Sequence, residues 1–392
     1  MALYSPSMAD GSNSEYRVET VGAMADVPRD AWDQLANPAD QPFHPFVCFD
    51  FLEALELSGS VDPEKGWAPC HLLLEKEQKL VAALPLYFKG HSQGEYIFDH
   101  AWADAYERAG GNYYPKLLSA VPFTPVPGPR LLARNPADAS VLANAAMQIA
   151  ERYQVSSLHL NFTMPEQTSL LENCGYLKRM GQQFHFQNRE YQTFDDFLGT
   201  LASRKRKNLR KERQSITEAG VEIEWLQGDE IKEHHLDQFW IFYQDTGNRK
   251  WGTPYLTRVF FQLLVERMAD QVLLVLAKKD GQYIAGALNM IGGDTLYGRY
   301  WGCTHYVPNL HFEICYYQAI DYAIRHGLQC VEAGAQGEHK LARGYEPVAT
   351  YSAHWIRDQG FRDAVGRYLT SEREYVEGDI ELLNTYTPFR KG

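Results

Sequence analysis

Apolar and polar positions along the first half of the chain predict a fixed order of elements. Tyr16–Val21 alternates as a first strand, and Phe49–Leu57 reads as a short helix. His71–Lys76 and Lys79–Phe88 are apolar runs with polar residues between them, a hairpin pattern. Tyr96–Phe98 starts a third strand. Within Ala137–Tyr153, the residues Val141, Leu142, Ala145, Ala146, Ile149 and Ala150 recur at helical spacing. Ser157–Phe162 follows as a strand that alternates through Leu158 and Leu160. The order is strand, hairpin, strand, helix, strand.

The second half repeats that order. Val221–Leu226 predicts a strand, and two aromatic helices follow near 232–246 and 255–268. Gln271–Ala277 and Tyr283–Ile291 flank Asp280-Gly281, a favoured hairpin turn. Thr295–Gly302 is the next strand. Phe312, Cys315, Tyr316, Ala319, Ile320, Ala323 and Ile324 make a helical stripe closed by Gly327, and Gln329–Ala333 is the last core strand. A long acidic tail helix is expected around Tyr368–Leu383. The repetition suggests a duplicated α/β unit: residues 1–15 form a frayed polar leader, one domain covers 16–190 and another 191–392. The halves differ at Ala101–Pro136, where six prolines from Pro115 to Pro136 interleave with Trp102, Tyr106, Tyr113, Tyr114 and Phe123. A proline-dense stretch is expected to be neither central strand nor helix. Its aromatic content points to a loop that lines a binding cleft.

Composition narrows the partners. In 392 residues, 38 Lys and Arg face 50 Asp and Glu, for a net charge of −12. A duplex-DNA binder would carry a basic footprint, so that class is excluded. No apolar run approaches the roughly 20 residues of a membrane span, and the start has no basic-then-apolar signal pattern. Six scattered cysteines without a CxxC pair read as reduced core thiols, and the expected location is the cytoplasm. Residues 1–181 hold 13 basic and 22 acidic side chains, and residues 182–392 hold 25 and 28, so an anionic ligand belongs mainly to the second half.

Three stretches carry candidate chemistry. Ser203–Arg213 has seven basic residues and one acidic; at helical spacing Arg206, Arg210 and Arg213 share a face, as do Lys207 and Lys211. With nothing nearby in sequence to balance its charge, that face suits phosphates. Glu332–Gly344 leaves the last core strand through Gly334 and Gly337 and starts a helix near Glu338, with His339, Lys340 and Arg343 close behind. Ligands of open α/β sheets sit at the carboxyl ends of strands, and a histidine there can act as general base. On the adjacent strand, Tyr297–Cys303 places Arg299 where a central strand demands a partner or ligand, and Glu332 is a fitting partner. Gly298 and Gly302 mark a bulge or a close approach. No P-loop, nucleophile elbow, HExxH or zinc spacing is present.

These passages resemble the FemAB-like branch of the acetyltransferase (GNAT) superfamily, and the chain looks closest to the bacterial predicted N-acyltransferases of the peptidoglycan biosynthesis or recognition type. The likeness rests on the basic helix leading into Ala219-Gly-Val-Glu-Ile223, on Tyr300-Trp-Gly-Cys303 with Pro308-Asn309 and Tyr316–Ile320, and on Val331–Gly334 followed by Lys340 and Arg343-Gly-Tyr345. Where acetyl-CoA enzymes carry a glycine-bearing pyrophosphate loop, Thr304–Leu310 has no glycine. The resemblance implies tandem GNAT-type domains, 16–190 with the insert 101–136 and 191–392 with the basic helix 203–213, built as mixed sheets flanked by helices. It implies an N-acyltransferase that moves an acyl group from an activated donor to an amine, with no permanent cofactor and acyl-CoA as the favoured co-substrate. An aminoacyl-tRNA-dependent transfer to a cell-wall precursor and a non-catalytic precursor-recognition module are the alternatives. On this basis Glu332, His339 and Lys340 are the expected catalytic residues. Arg299, Tyr300, Trp301, Glu338, Arg343, Arg206, Arg210, Tyr114 and Lys116 are the expected substrate-binding residues, and no metal is expected.

Overall fold

The structure is a computed structural model that describes residues 16–250, 254–334 and 337–390, apart from the side chains of residues 247–250 and 338. The expected leader 1–15 lies outside the described residues. In chain order the first elements are β1 (Tyr16–Val21), α1 (Arg29–Ala36), α2 (Phe49–Leu57), β2 (Trp67–Pro69), β3 (His71–Lys76), β4 (Lys79–Leu84), β5 (Tyr87–Lys89), α3 (His100–Arg108), β6 (Lys116–Ser119), β7 (Leu132–Ala133), α4 (Pro136–Arg152), β8 (Ser157–Thr163), α5 (Pro165–Asn173) and β9 (Leu177–Gln187). Then come α6 (Phe194–Thr200), α7 (Ser203–Glu218), β10 (Val221–Gln227), α8 (Glu233–Lys250), α9 (Arg258–Met268), β11 (Val272–Lys279), β12 (Gln282–Ile291) and β13 (Thr295–Cys303). The chain ends with α10 (Leu310–Phe312), a π-turn (Glu313–Tyr317), α11 (Gln318–Arg325), β14 (Cys330–Glu332), a 3₁₀ helix (Glu338–Arg343), β15 (Glu346–Ile356) and α12 (Gln359–Thr385).

These elements make two compact units, 1–181 with 350–377, and 182–349 with 378–392. The chain crosses between them inside β9, β15 and α12, whereas the sequence reading drew one boundary at 190/191 and kept the tail with the second half.

In the second unit the strand order is β10-β11-β12-β13-β14-β9. β10 to β13 form an antiparallel meander, β13 and β14 are parallel, and β14 is antiparallel to β9. The parallel pair exists because the chain crosses over through α10, the π-turn and α11 between the two strands. That crossover is as apolar as its stripe predicts: Ile314, Tyr317, Ala319, Ile320 and Ala323 are fully buried in a core shared with Leu273, Val275 and Val331. α8 packs on the opposite face of the meander. A Cβ on Gly302 would lie 1.9 Å from the Phe242 carbonyl oxygen of α8, so this glycine admits a helix rather than a ligand.

The first unit holds the antiparallel sheet β1-β3-β4-β7 and the strands β15-β8-β6-β5-β2, with β6 parallel to β8. Two expectations fail here. Lys79–Phe88 is not one strand: Pro85, which has no N–H, separates β4 from β5, and the two join different sheets. Tyr96–Phe98 is a bend before α3, and the third strand is β6, inside the stretch expected to be loop. Prolines flank Lys116–Ser119 but none falls within it, so its N–H groups are available to pair with β5 and β8.

Candidate functional site

The parallel pairing of β13 with β14 runs from Thr295–Cys330 to Tyr297–Glu332 and ends there, while β13 continues to Cys303. The predicted chemistry gathers where the two strands part. Arg299 Nη2 lies 2.9 Å from Glu332 Oε2, and both side chains are almost fully buried. The pair inferred from sequence is therefore formed. Across the sheet, His185 on β9 stands opposite Glu332, with Nε2 3.9 Å from Oε1 and 3.1 Å from the Gln183 amide oxygen. Sequence reasoning missed His185. Its signal was the alternation Phe184-His185-Phe186, a polar residue between two buried rings.

Lys340 is 1% exposed, and its ammonium donates to the Gly334 carbonyl at 2.7 Å. Burial, then the Arg299 charge, lowers its pKa to about 7. The residues after β14 form a 3₁₀ helix of six residues rather than an α-helix. His339 lies on its exposed side, 2.8 Å from the Tyr316 hydroxyl. Burial, then Arg343 and Lys340, lowers the His339 pKa, so the ring is neutral at pH 7. Burial raises Tyr316, so the phenol keeps its proton and His339 Nε2 can accept it as a hydrogen bond. The Glu338 side chain lies outside the described residues.

Rings wall this region. Trp301 packs 5.2 Å from His311, His311 lies 5.3 Å from Tyr316, and Phe312 lies 5.8 Å from His339. The Arg343 guanidinium sits 3.4 Å over Phe312 and pairs with Glu212 of α7 at 3.0 Å. The Tyr317 hydroxyl donates to the same carboxylate. Arg343 therefore ties the 3₁₀ helix to α7, and of its donors only Nε is buried without an acceptor among the described residues. Tyr300 does not join this wall. Successive strand residues face opposite sides, and Tyr300 packs against Tyr243 of α8 and Phe261 of α9 at 5.7 and 5.9 Å.

The basic helix α7 is partly balanced, contrary to its local sequence. Arg210 pairs with Asp195, and Arg213 pairs with Glu313 and Asp321 while lying 4.4 Å over Phe194. Phe194, Asp195, Arg210, Arg213, Asp321 and Arg325 are among the lining of a cavity of about 600 Å³. Arg204, Lys205, Arg206, Lys207 and Lys211 make no ion pair among the described residues.

Tyr114 and Lys116 belong to the first unit. Lys116 is fully buried, and its ammonium donates to Ser92 at 2.7 Å, Glu95 at 2.8 Å and Asp99 at 2.5 Å. All three of its hydrogens are used, so it holds a buried polar cluster together and has none for a ligand. The Tyr114 hydroxyl shares Ser92 at 2.8 Å. The cluster continues through Tyr113, His159 and His354, whose imidazoles face each other at 2.7 Å. Among the described residues no disulfide forms; Cys48 and Cys70 are buried, and the other four cysteines are half-buried.

Among known proteins, the structure is similar to FemX, with a TM-score of 0.54 at 12% identity over 89% of this chain and 100% of that one. It is similar to the C-terminal domain of a putative lysylphosphatidylglycerol synthetase from Agrobacterium fabrum, with a TM-score of 0.54 at 9% identity over 87% and 93%. It is also similar to L-PGS from Bacillus licheniformis, with a TM-score of 0.50 at 11% identity over 81% and 96%. At these identities the likeness is one of fold alone, a mixed α/β fold. No curated protein sequence matches the chain. Among the described residues no helix is long and apolar enough to cross a membrane. The model of one family, FemAB-like, described as peptidoglycan biosynthesis/recognition, matches residues 23–391. The chain belongs to this FemAB-like family.

Proposed function

We propose that the chain is an N-acyltransferase that joins an aminoacyl group to an amine of a peptidoglycan precursor. The observation that carries the reading is Lys340, a lysine buried beside the Arg299–Glu332 pair with its pKa brought to about 7. Such a lysine is half neutral near pH 7 and can take a proton from an incoming ammonium. The freed amine then attacks the ester carbonyl of the donor. A C–N bond forms, the C–O bond to the carrier breaks, the carrier oxygen leaves with the proton that Lys340 took up, and the second proton shed by the attacking nitrogen passes to Lys340 in turn. Glu332 is already engaged by Arg299. β13 beyond Tyr297, no longer paired with β14, is the edge that would hold the donor arm.

The donor we favour is an aminoacyl ester on tRNA rather than acyl-CoA. The uncommitted cations of α7 favour a polyanionic carrier, and Thr304–Leu310 has no glycine to cradle a pyrophosphate. The test offers aminoacyl-tRNA or acyl-CoA with an amine-bearing muropeptide and detects the amide by mass. With five phosphate contacts on a single strand, donor affinity should fall by about 100-fold between roughly 50 and 200 mM salt. Amide formed from acyl-CoA without salt dependence would replace the donor. Precursor binding with no turnover from either donor would make the chain a recognition module.

A further inference from the structure

One cavity of the second unit, about 600 Å³ in volume, has Arg210 and Arg213 of α7, Arg325 of α11, Asp195, Asp321 and Phe194 in its lining, and none of Arg299, Glu332, His339 and Lys340. The ion pairs of its arginines leave donors uncommitted. Arg213 gives Nε and Nη2 to Glu313, with Nη2 also 3.6 Å from Asp321. Arg325 gives Nε and Nη2 to Asp321 at 2.9 and 3.2 Å, and Arg210 gives Nη2 to Asp195 at 2.8 Å. In all three, Nη1 with its two hydrogens meets no acceptor among the described residues.

Two of the guanidiniums are held in place before any ligand arrives. Arg213 lies 4.4 Å over the Phe194 ring and Arg325 lies 5.2 Å over the Trp225 ring, and the buried carboxylate of Asp321 bridges the two arginines. Donors fixed in advance lose little freedom on binding. The Arg210–Asp195 pair is exposed at both ends, a weak pair that can open to a ligand. Charge favours an anion. Three guanidiniums stand against two carboxylates in the lining, and Glu313, buried outside it, is engaged by Arg213 and by Gln318 at 2.6 Å. Guanidinium forks suit phosphate oxygens. The volume falls in the range of about 300–1,000 Å³ that takes drug-sized ligands, so a lone ion would not fill it. Phe194 and Leu198 supply an apolar surface for the rest of the molecule. We propose that this cavity binds a nucleoside diphosphate, its phosphates on Arg210, Arg213 and Arg325 and its nucleoside against Phe194 and Leu198. Arg210 and Arg213 are not among the α7 cations assigned to the carrier, so binding here is independent of acyl transfer.

Calorimetric titration of the full chain with ADP, CDP and inorganic pyrophosphate tests this. At least one nucleotide should bind about 10-fold tighter than pyrophosphate, because the nucleoside fills the cavity. Arg325→Gln should weaken that binding by about 10–100-fold, the effect of losing a charged hydrogen-bond donor. Its thermal unfolding without ligand should change little, because this side chain is mostly exposed. Arg210→Gln should act alike. Lys279→Gln, which removes the same charge outside the lining, should leave the affinity as it is. Silence with both nucleotides overturns the proposal. So does a nucleotide that binds no tighter than pyrophosphate, which marks an adventitious ion only, or an affinity that Arg325→Gln and Arg210→Gln leave intact. A single-stranded RNA trinucleotide that binds where neither nucleotide does would also overturn it and assign the cavity to the carrier.

Discussion

Burying Lys340 carries a pH-dependent cost in stability that Lys340→Met isolates. The ordinary lysine pKa is about 10.4, and in the folded chain burial, with Arg299 second, lowers it to about 7. Between those values the unfolded chain binds the proton and the folded chain does not, so stability rises with pH across that window. Below about pH 7 both states are protonated and the full cost stands, on the order of 4–5 kcal/mol. Above about pH 10.4 the cost is gone. From pH 7 to pH 9 the wild type should therefore gain about 2 kcal/mol that Lys340→Met does not. The methionine leaves the Gly334 carbonyl without its donor, which costs about 1–3 kcal/mol at every pH; that offset moves the curve but not its slope. Lys89, also brought to about 7 by burial, is common to both proteins and cancels. Denaturant unfolding of the two proteins at pH 7 and 9 gives the difference of differences. A constant gap between them, within about 0.5 kcal/mol, would refute a neutral-leaning Lys340. The same variant should lose about 10²–10⁴ in turnover if Lys340 is the base.

Two further outcomes follow from the packing around this lysine. Glu332→Met or Arg299→Met alone should cost about 3–5 kcal/mol, because each strands a buried charge, and the double variant should be less destabilised than either single one; additive losses in unfolding experiments would deny the coupling. Gly302→Ala puts a methyl 1.9 Å from the Phe242 carbonyl oxygen, whereas Gly298→Ala meets nothing nearer than 3.3 Å. Gly302→Ala should therefore lower the melting temperature well beyond Gly298→Ala, and equal shifts would place α8 elsewhere.

The second unit was legible because its signals are local. The Asp280-Gly281 turn fixes the β11–β12 hairpin, and the stripe from Phe312 to Ile324 predicts the crossover that makes β13 and β14 parallel. Parallel neighbours put Arg299 within reach of Glu332, so even the ion pair could be anticipated. The first unit was harder to read because its third strand is four residues long and sits between prolines. A window that counts prolines averages it away. β9 and β15 escaped notice because they carry Gln182, His185, Ser352 and His354, residues that break the apolar alternation yet find hydrogen-bond partners within their own units. Tyr300 and Lys116 were chosen by residue type alone, whereas strand parity turns Tyr300 toward α8 and buried acceptors take the ammonium hydrogens of Lys116.

Glu332, which ends the last core strand, is held by Arg299, and that ion pair is why the proposed function gives the base's task to Lys340 rather than to Glu332. One carboxylate stands between Arg299 and His185 here. Arg299 takes Oε2 at 2.9 Å and His185 stands 3.9 Å from Oε1, and no described carboxylate pairs with Lys340. Had Glu332 reached Lys340, the pair would have raised the lysine pKa and fixed its proton. With Glu332 committed elsewhere, Lys340 meets a low-dielectric surround and the positive field of Arg299, both of which leave its neutral form accessible. The arginine that holds Glu332 thereby adds to the burial that lowers the Lys340 pKa.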